Sequence, residues 1–87
     1  MTIKVSKTSD PKKVAGAISS HIRDDGAVDI VAVGPIALNQ AIKSIIIARS
    51  YLVVNNLDVN TVPSFSEVAI EDEKRTGIQL SLEKKVL

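Results

Sequence analysis

Two prolines divide the first half of the chain. Pro11 and Pro35 each stand at the foot of a stretch with helical periodicity, and each follows a short β-branched run. Proline has a fixed φ and no amide N–H, so it suits the first position of a helix and breaks its interior. The pattern is therefore strand, helix, strand, helix. Thr2 to Ser6 alternates, with Ile3 and Val5 on one side, as a first strand does. Ser9-Asp10-Pro11 is a helix start in which Asp10 can cap free N–H groups. Val14, Ala17, Ile18 and Ile22 keep the 3.6-residue period, and Gly26 suits a C-cap, so a first helix is expected over residues 11–25. Ala27 to Val33 is apolar except at Asp29, the pattern of a strand inside a sheet. Gly34-Pro35 leads into a second helix, expected to run to about Val53 and to end at Asn55-Asn56.

Beyond Leu57 the helical period is gone. Leu57, Val59 and Thr61 alternate with polar residues, but Val68 and Ile70 fall on the opposite parity. A phase change around Pro63 implies a bulge or a sheet edge. Glu71-Asp72-Glu73-Lys74-Arg75 reads as a hairpin loop. Thr76, Ile78, Leu80 and Leu82 then alternate with Gln79, Ser81 and Glu83 in a last strand, and Lys84 to Leu87 reads as a frayed tail. Crossovers between parallel strands are right-handed, which puts both helices on one side of the sheet. The expected fold is α+β, a two-layer βαβαββ unit with two helices packed on one face of a four-stranded mixed sheet. Its 87 residues are enough for one domain, 1–87, and too few for two.

The second helix is too apolar for a single buried stripe. Leu38, Ala41, Ile42, Ile45, Ala48 and Leu52 make an ordinary core face, which leaves Ile46 and Ile47 outside it. Three successive isoleucines sweep about 200° of helix surface, more than one sheet covers. A second copy of the chain is one cover, with Leu38, Ile42, Ile46 and Ile47 at the interface; the first helix is the other. Only Tyr51 and Phe65 are aromatic, so the core is aliphatic and small, a setting in which self-association is a common remedy. Asn39, Gln40, Lys43 and Ser50 line a polar seam on the same helix. Asn39 and Gln40 could hydrogen-bond across a dimer axis, cap the helix or touch a ligand.

Little in the sequence suggests catalysis. There is no cysteine, and His21 is the only histidine, so neither a Cys-His pair nor a metal-ligand spacing can be drawn. No nucleophile elbow, dinucleotide-binding glycine motif or phosphate loop appears. Glu71, Asp72 and Glu73 could attract a cation but read as a solvated hairpin tip. The chain is expected to be non-enzymatic and without cofactor or metal. The start of the chain does not read as a signal peptide, no apolar run approaches the length of a membrane span, and the lack of cysteine fits a cytoplasmic protein.

Charge is uneven along the chain. Residues 1–50 carry seven Lys/Arg against four Asp, a balance of +3, and residues 51–87 carry −2. The first helix reverses the usual dipole preference, with Lys12 and Lys13 in its first turn and Asp24 and Asp25 in its last. Each reversal costs ~0.3–1 kcal/mol. With Lys7 nearby, the free N–H groups and two ammonium groups could form a phosphate-binding corner. The alternative is three solvated lysines beside a capping aspartate.

Several segments together are similar to the stage V sporulation protein S family of bacteria. They are Val14-Ala15-Gly16-Ala17, the run from Val33-Gly34-Pro35 through Ala37-Leu38-Asn39-Gln40-Ala41-Ile42-Lys43 to Ile47-Ala48-Arg49, Val62-Pro63-Ser64-Phe65, and Ile70 to Ile78. The resemblance implies an Alba-like fold, a homodimer or higher oligomer, and a regulatory role in sporulation or development through binding DNA or RNA. Alba-like proteins touch nucleic acid before the first helix, at the start of the second and on the last hairpin. By that resemblance the contacts here would be Lys7, Lys12 and Lys13, then Asn39 and Lys43, then Lys74 and Arg75. Pro35 and Ser50 replace small residues usual in the family; Ser50 removes a glycine, so the second helix is expected to run slightly longer. The hairpin is read as short and acidic at its tip, unlike the long basic arms of Alba. Binding would then be weak and directed at phosphates. A non-enzymatic protein-interaction module without nucleic-acid binding is the alternative reading.

Overall fold

The structure is a computed structural model that describes residues 1–87. Strand β1 (Thr2–Val5), helix α1 (Pro11–Asp25), strand β2 (Ala27–Ala32) and helix α2 (Pro35–Leu52) follow one another, and a 3-10 turn (Val53–Asn55) leads to strands β3 (Leu57–Ile70) and β4 (Glu73–Val86). The sheet order is β1-β2-β4-β3, with β1 parallel to β2 and the other pairings antiparallel. The expected α+β architecture is what the chain adopts.

Local chemistry sets the helix ends. Asp10 is extended, and its side chain accepts the Lys12 N–H at 3.0 Å, with Pro11 opening α1. Gly26, at φ 81°, closes the helix by donating its N–H to the carbonyls of His21 and Ile22. Gly34, at φ 90°, precedes Pro35, and no side chain caps α2. Ser50 continues α2, its Oγ donating to the Ile47 carbonyl, and Asn56 in the left-handed region turns the chain into β3.

One apolar layer lies between the sheet and both helices. Val28, Ile30, Leu80 and Leu82 face Ile18 and Ile22 of α1 and Ala41, Ile45, Ala48 and Leu52 of α2. Each full burial of an Ile or Leu contributes about 1.5–3 kcal/mol. Two buried serines interrupt this layer at no cost in unmet polarity. Ser19 Oγ donates to the Ala15 carbonyl at 2.8 Å, and Ser44 Oγ donates to the Gln40 carbonyl at 2.7 Å. On α1 the small buried positions are Ala15 and Ser19, while Ala17 is exposed. Val14, Ile18 and Ile22 face the core as their period implies, and Ala15 and Ser19 stand where Ala17 is expected.

The second half of the chain meets the edge alternative at Pro63 and departs from expectation in two other ways. The register of β3 with β4 is unbroken from Leu57↔Val86 to Ile70↔Glu73, so Pro63 makes no bulge and sits on an edge strand. The turn is Glu71-Asp72 alone, both at positive φ (49° and 63°), as a two-residue hairpin of mirror-image type needs. Glu73, Lys74 and Arg75 are therefore strand and not loop. The end of the chain is also paired: Val86 opposes Leu57, and the Leu87 N–H donates to the Asn56 carbonyl at 2.9 Å. β4 runs five residues past its last partner on β2, Ala32↔Ile78, so the ribbon projects as an arm about 17 Å beyond the sheet. It lengthens the molecule to 42 Å against 20 and 17 Å in the other directions.

Candidate nucleic-acid interface

Topology gathers the candidate residues at one end of the sheet. β1 and β2 are parallel and each leads straight into a helix, so α1 and α2 begin at the same end. The arm leaves the sheet past Ala32, at that end too. Two electropositive helix starts and the hairpin thus share one side of the molecule.

The loop before α1 is tied to itself. The Ser9 N–H donates to the Ser6 carbonyl at 3.1 Å, and the Ser6 N–H donates to Ser9 Oγ at 2.9 Å. A side chain from the other helix braces it: Gln40 Nε2 donates to the Ser9 carbonyl at 3.1 Å. Gln40 is thus engaged within its own chain. The brace sets the start of α1 beside α2, and between them lies a hollow lined by Asp10, Pro11, Lys12, Lys43, Ile46 and Ile47. Lys12 and Lys43 come from different helices yet face this hollow together. Asp10, its carboxylate engaged by the Lys12 amide, is the one acid there.

The remaining candidates are dispersed. Lys13 is exposed on α1 but does not line the hollow, and Asn39 is exposed on the outer side of α2. Lys7 lines a separate cleft on the far side of its loop. Lys74 and Arg75 are neighbours in β4, so they point to opposite faces of the arm, opposite Ala69 and Val68. Each has an acid two positions away on its own face: Glu67, diagonal to Lys74, and Glu73, beside Arg75. The arm is longer than expected, but its charge is as mixed as the sequence says.

The apolar candidates on α2 also divide. Ile42 and Ile46 are 41% and 59% exposed, whereas Ile47 is half-buried against the core on the side of α1. The first helix therefore covers Ile47, and Ile42 leaves the core stripe in its place. Leu38 is half-buried and shares a shallow hollow with Phe65, which is 84% exposed. Leu38, Ile42, Ile46 and Phe65 make one apolar flank. Strand alternation alone does not single out Phe65, because how far an edge strand is covered depends on what packs against it.

Two other features hold the site in place. Arg49 grips Asp58 with a two-pronged contact, Nε to Oδ1 at 2.8 Å and Nη2 to Oδ2 at 3.1 Å, fastening the end of α2 to β3. That fork, together with the Val59 N–H, holds the Asp58 carboxyl below its ordinary range, and Arg49 is held above its own. His21 Nδ1 lies 3.0 Å from Asp25 Oδ2, an exposed i,i+4 contact at the far end of α1. No three His, Cys, Asp or Glu side chains converge as a metal site, and no helix is long and apolar enough to cross a membrane.

A mixed four-stranded sheet in βαβαββ order, with both helices on one face and a projecting β3–β4 arm, defines an Alba-like domain. Alba from Thermoplasma volcanium matches 98% of this chain and 99% of its own, with a TM-score of 0.63 and 11% sequence identity, a likeness of fold alone. The model of the family stage V sporulation protein S (SpoVS) matches residues 1–85, and the chain belongs to that family.

Proposed function

We propose that the chain is a non-catalytic, nucleic-acid-binding regulator that works as a homo-oligomer in sporulation or development within the cytoplasm. The observation that carries this reading is the hollow at the helix starts, where Lys12 and Lys43 face one space across the Gln40 brace. Two ammonium groups from rigid helices suit a phosphate oxygen, and the electropositive start of α1 adds to them. Nothing there is shaped to read base edges, so contacts run to the backbone of DNA or RNA and affinity is governed by salt. Lys7, Lys13, Asn39, Lys74 and Arg75 extend the surface without converging on it. The flank of Leu38, Ile42 and Ile46, joined by Phe65, supplies the self-association surface, while Ile47 lies apart from it beside α1.

Fluorescence anisotropy with labelled duplex DNA and single-stranded RNA tests this reading. The wild type should bind with an affinity that falls steeply from low to physiological salt. Lys12→Glu with Lys43→Glu should abolish binding at physiological salt, and neutral Gln replacements should lower the slope of log affinity against log salt by about two. Absence of binding to either probe at low salt sinks the proposal. The exposed apolar flank then favours the second reading, a protein-interaction module.

A further inference from the structure

β2 carries one buried apolar residue that the main core does not include. Val31 is only 7% exposed, yet it stands on the helix-free face of the sheet, between Lys4 on β1 and Gln79 on β4. It lines a cleft of about 470 Å³ formed where the arm, the loop before α1 and the start of α2 meet. That size falls within the ~300–1,000 Å³ of small-molecule sites. Val33, Val68 and Ile70 line the cleft from the same face as Val31, and Ile36 and Ala37 of α2 complete its wall.

This cleft explains the change of apolar parity in β3. Leu57 and Val59 pack beneath the helices, whereas Val68 and Ile70 turn their side chains to the opposite face, into the cleft. Thirteen residues line the space. They include Lys4 and Lys7 and no aspartate or glutamate. An apolar chamber with two cations and no built-in counter-charge favours a ligand with two parts. A hydrated inorganic anion would leave the valines facing water, and a neutral hydrocarbon would gain nothing from the two exposed lysines at the rim.

We propose that this cleft binds a small amphipathic anion, a medium-chain carboxylate, with its hydrocarbon body against Val31, Val33, Val68 and Ile70 and its carboxylate on Lys4 and Lys7. Two of the walls belong to the arm and to the loop before α1, so an occupant bridges the arm to the body and restrains it. The site rests on the cleft alone and is independent of nucleic-acid binding at Lys12 and Lys43.

The test is an amide ¹⁵N–¹H titration of the full chain with sodium octanoate, kept below micelle-forming concentrations, beside 1-octanol and acetate. Octanoate should give saturable shifts confined to the amides of Val31, Val33, Ile36 and Val68 to Ile70. Octanol should bind about tenfold more weakly, the worth of one charge-assisted contact, and acetate should not saturate. Lys4→Gln with Lys7→Gln should bring octanoate down to the level of octanol. Val68→Ser should weaken both, and each variant's own spectrum reports whether it is folded. The assignment is overturned by shifts that scatter or never saturate, by octanol binding as tightly as octanoate, or by undiminished octanoate binding in the folded lysine variant.

Discussion

The β3–β4 ribbon keeps one register along its whole length, but its two halves are held differently. The inner half, from Leu57 to Pro63 and Leu80 to Val86, is fastened to the body at several points. Leu82 is fully buried, Asp58 is gripped by Arg49, the Lys84 N–H donates to the Gly26 carbonyl, and β2 pairs along β4. Past its pairing with β2 at Ile78 and Gln79, the outer half has only its own ladder, a two-residue turn at positive φ and the edge of a cleft. Phe65, Glu67, Lys74 and Arg75 there are all exposed. The difference separates stability from reach. The inner half contributes to the core, while the outer half can be restrained or displaced by a ligand with little consequence for the rest of the fold.

The largest effect should follow a cut in the inner half. Leu82→Ala is expected to cost about 2–5 kcal/mol in urea unfolding, whereas Phe65→Ala should stay within about 0.5 kcal/mol. Equal losses would erase the distinction. The junction between the halves comes next. A Cβ at Gly77 would lie 2.9 Å from the Ala32 carbonyl oxygen and 3.0 Å from Val33 Cγ2. Gly77→Ala should therefore cost about 1–3 kcal/mol and move the Ala32 and Val33 resonances. At the tip, Glu71→Asn with Asp72→Gly supplies the residues that a turn with two positive φ angles prefers. Slower amide exchange at Val68 and Arg75, by about 1 kcal/mol of local protection with the global midpoint nearly unchanged, would sharpen the comparison.

The smallest effect is on pH dependence. The Asp58 carboxyl is held low by Arg49 and by the Val59 N–H. Its contribution is thus fully present above the unfolded carboxyl pKa of about 3.9 and is lost as pH falls through the lower folded value. Because the pair is largely solvated, the contribution is modest. Wild type and Asp58→Asn should differ in thermal midpoint near neutrality and converge in strong acid. A gap that persists to the lowest pH would assign Asp58 a role other than this ion pair.

The first half of the fold was legible because Asp10, Pro11, Gly26, Gly34 and Pro35 act locally: each fixes a helix end through its own φ or its own hydrogen bond. The arm was hidden for the converse reason. Glu71-Asp72 lacks the Asn-Gly chemistry that announces a tight hairpin, so the charged run around it read as loop, and strand pairing across it is a nonlocal fact. The parity change near Pro63 was visible in the sequence, but whether the chain slips or the covered face changes depends on what packs against each side. Of the site, the lysine-rich start of α1 was legible, and so was the apolar excess on α2. The joining of Lys12 to Lys43 was not, because it depends on Gln40 reaching across to Ser9, residues 31 positions apart.

Pro63 stands near the middle of a strand that borders the sheet, opposite Leu80. Having no N–H, it occupies a border where none is required and interrupts the row of donors that a neighbouring strand would need. Any chain trying to extend the sheet along β3 meets at most six or seven uninterrupted residues on either side, too short for a long continuous ladder. The ring thus interrupts a fourteen-residue exposed border that would otherwise offer a continuous template for strand addition.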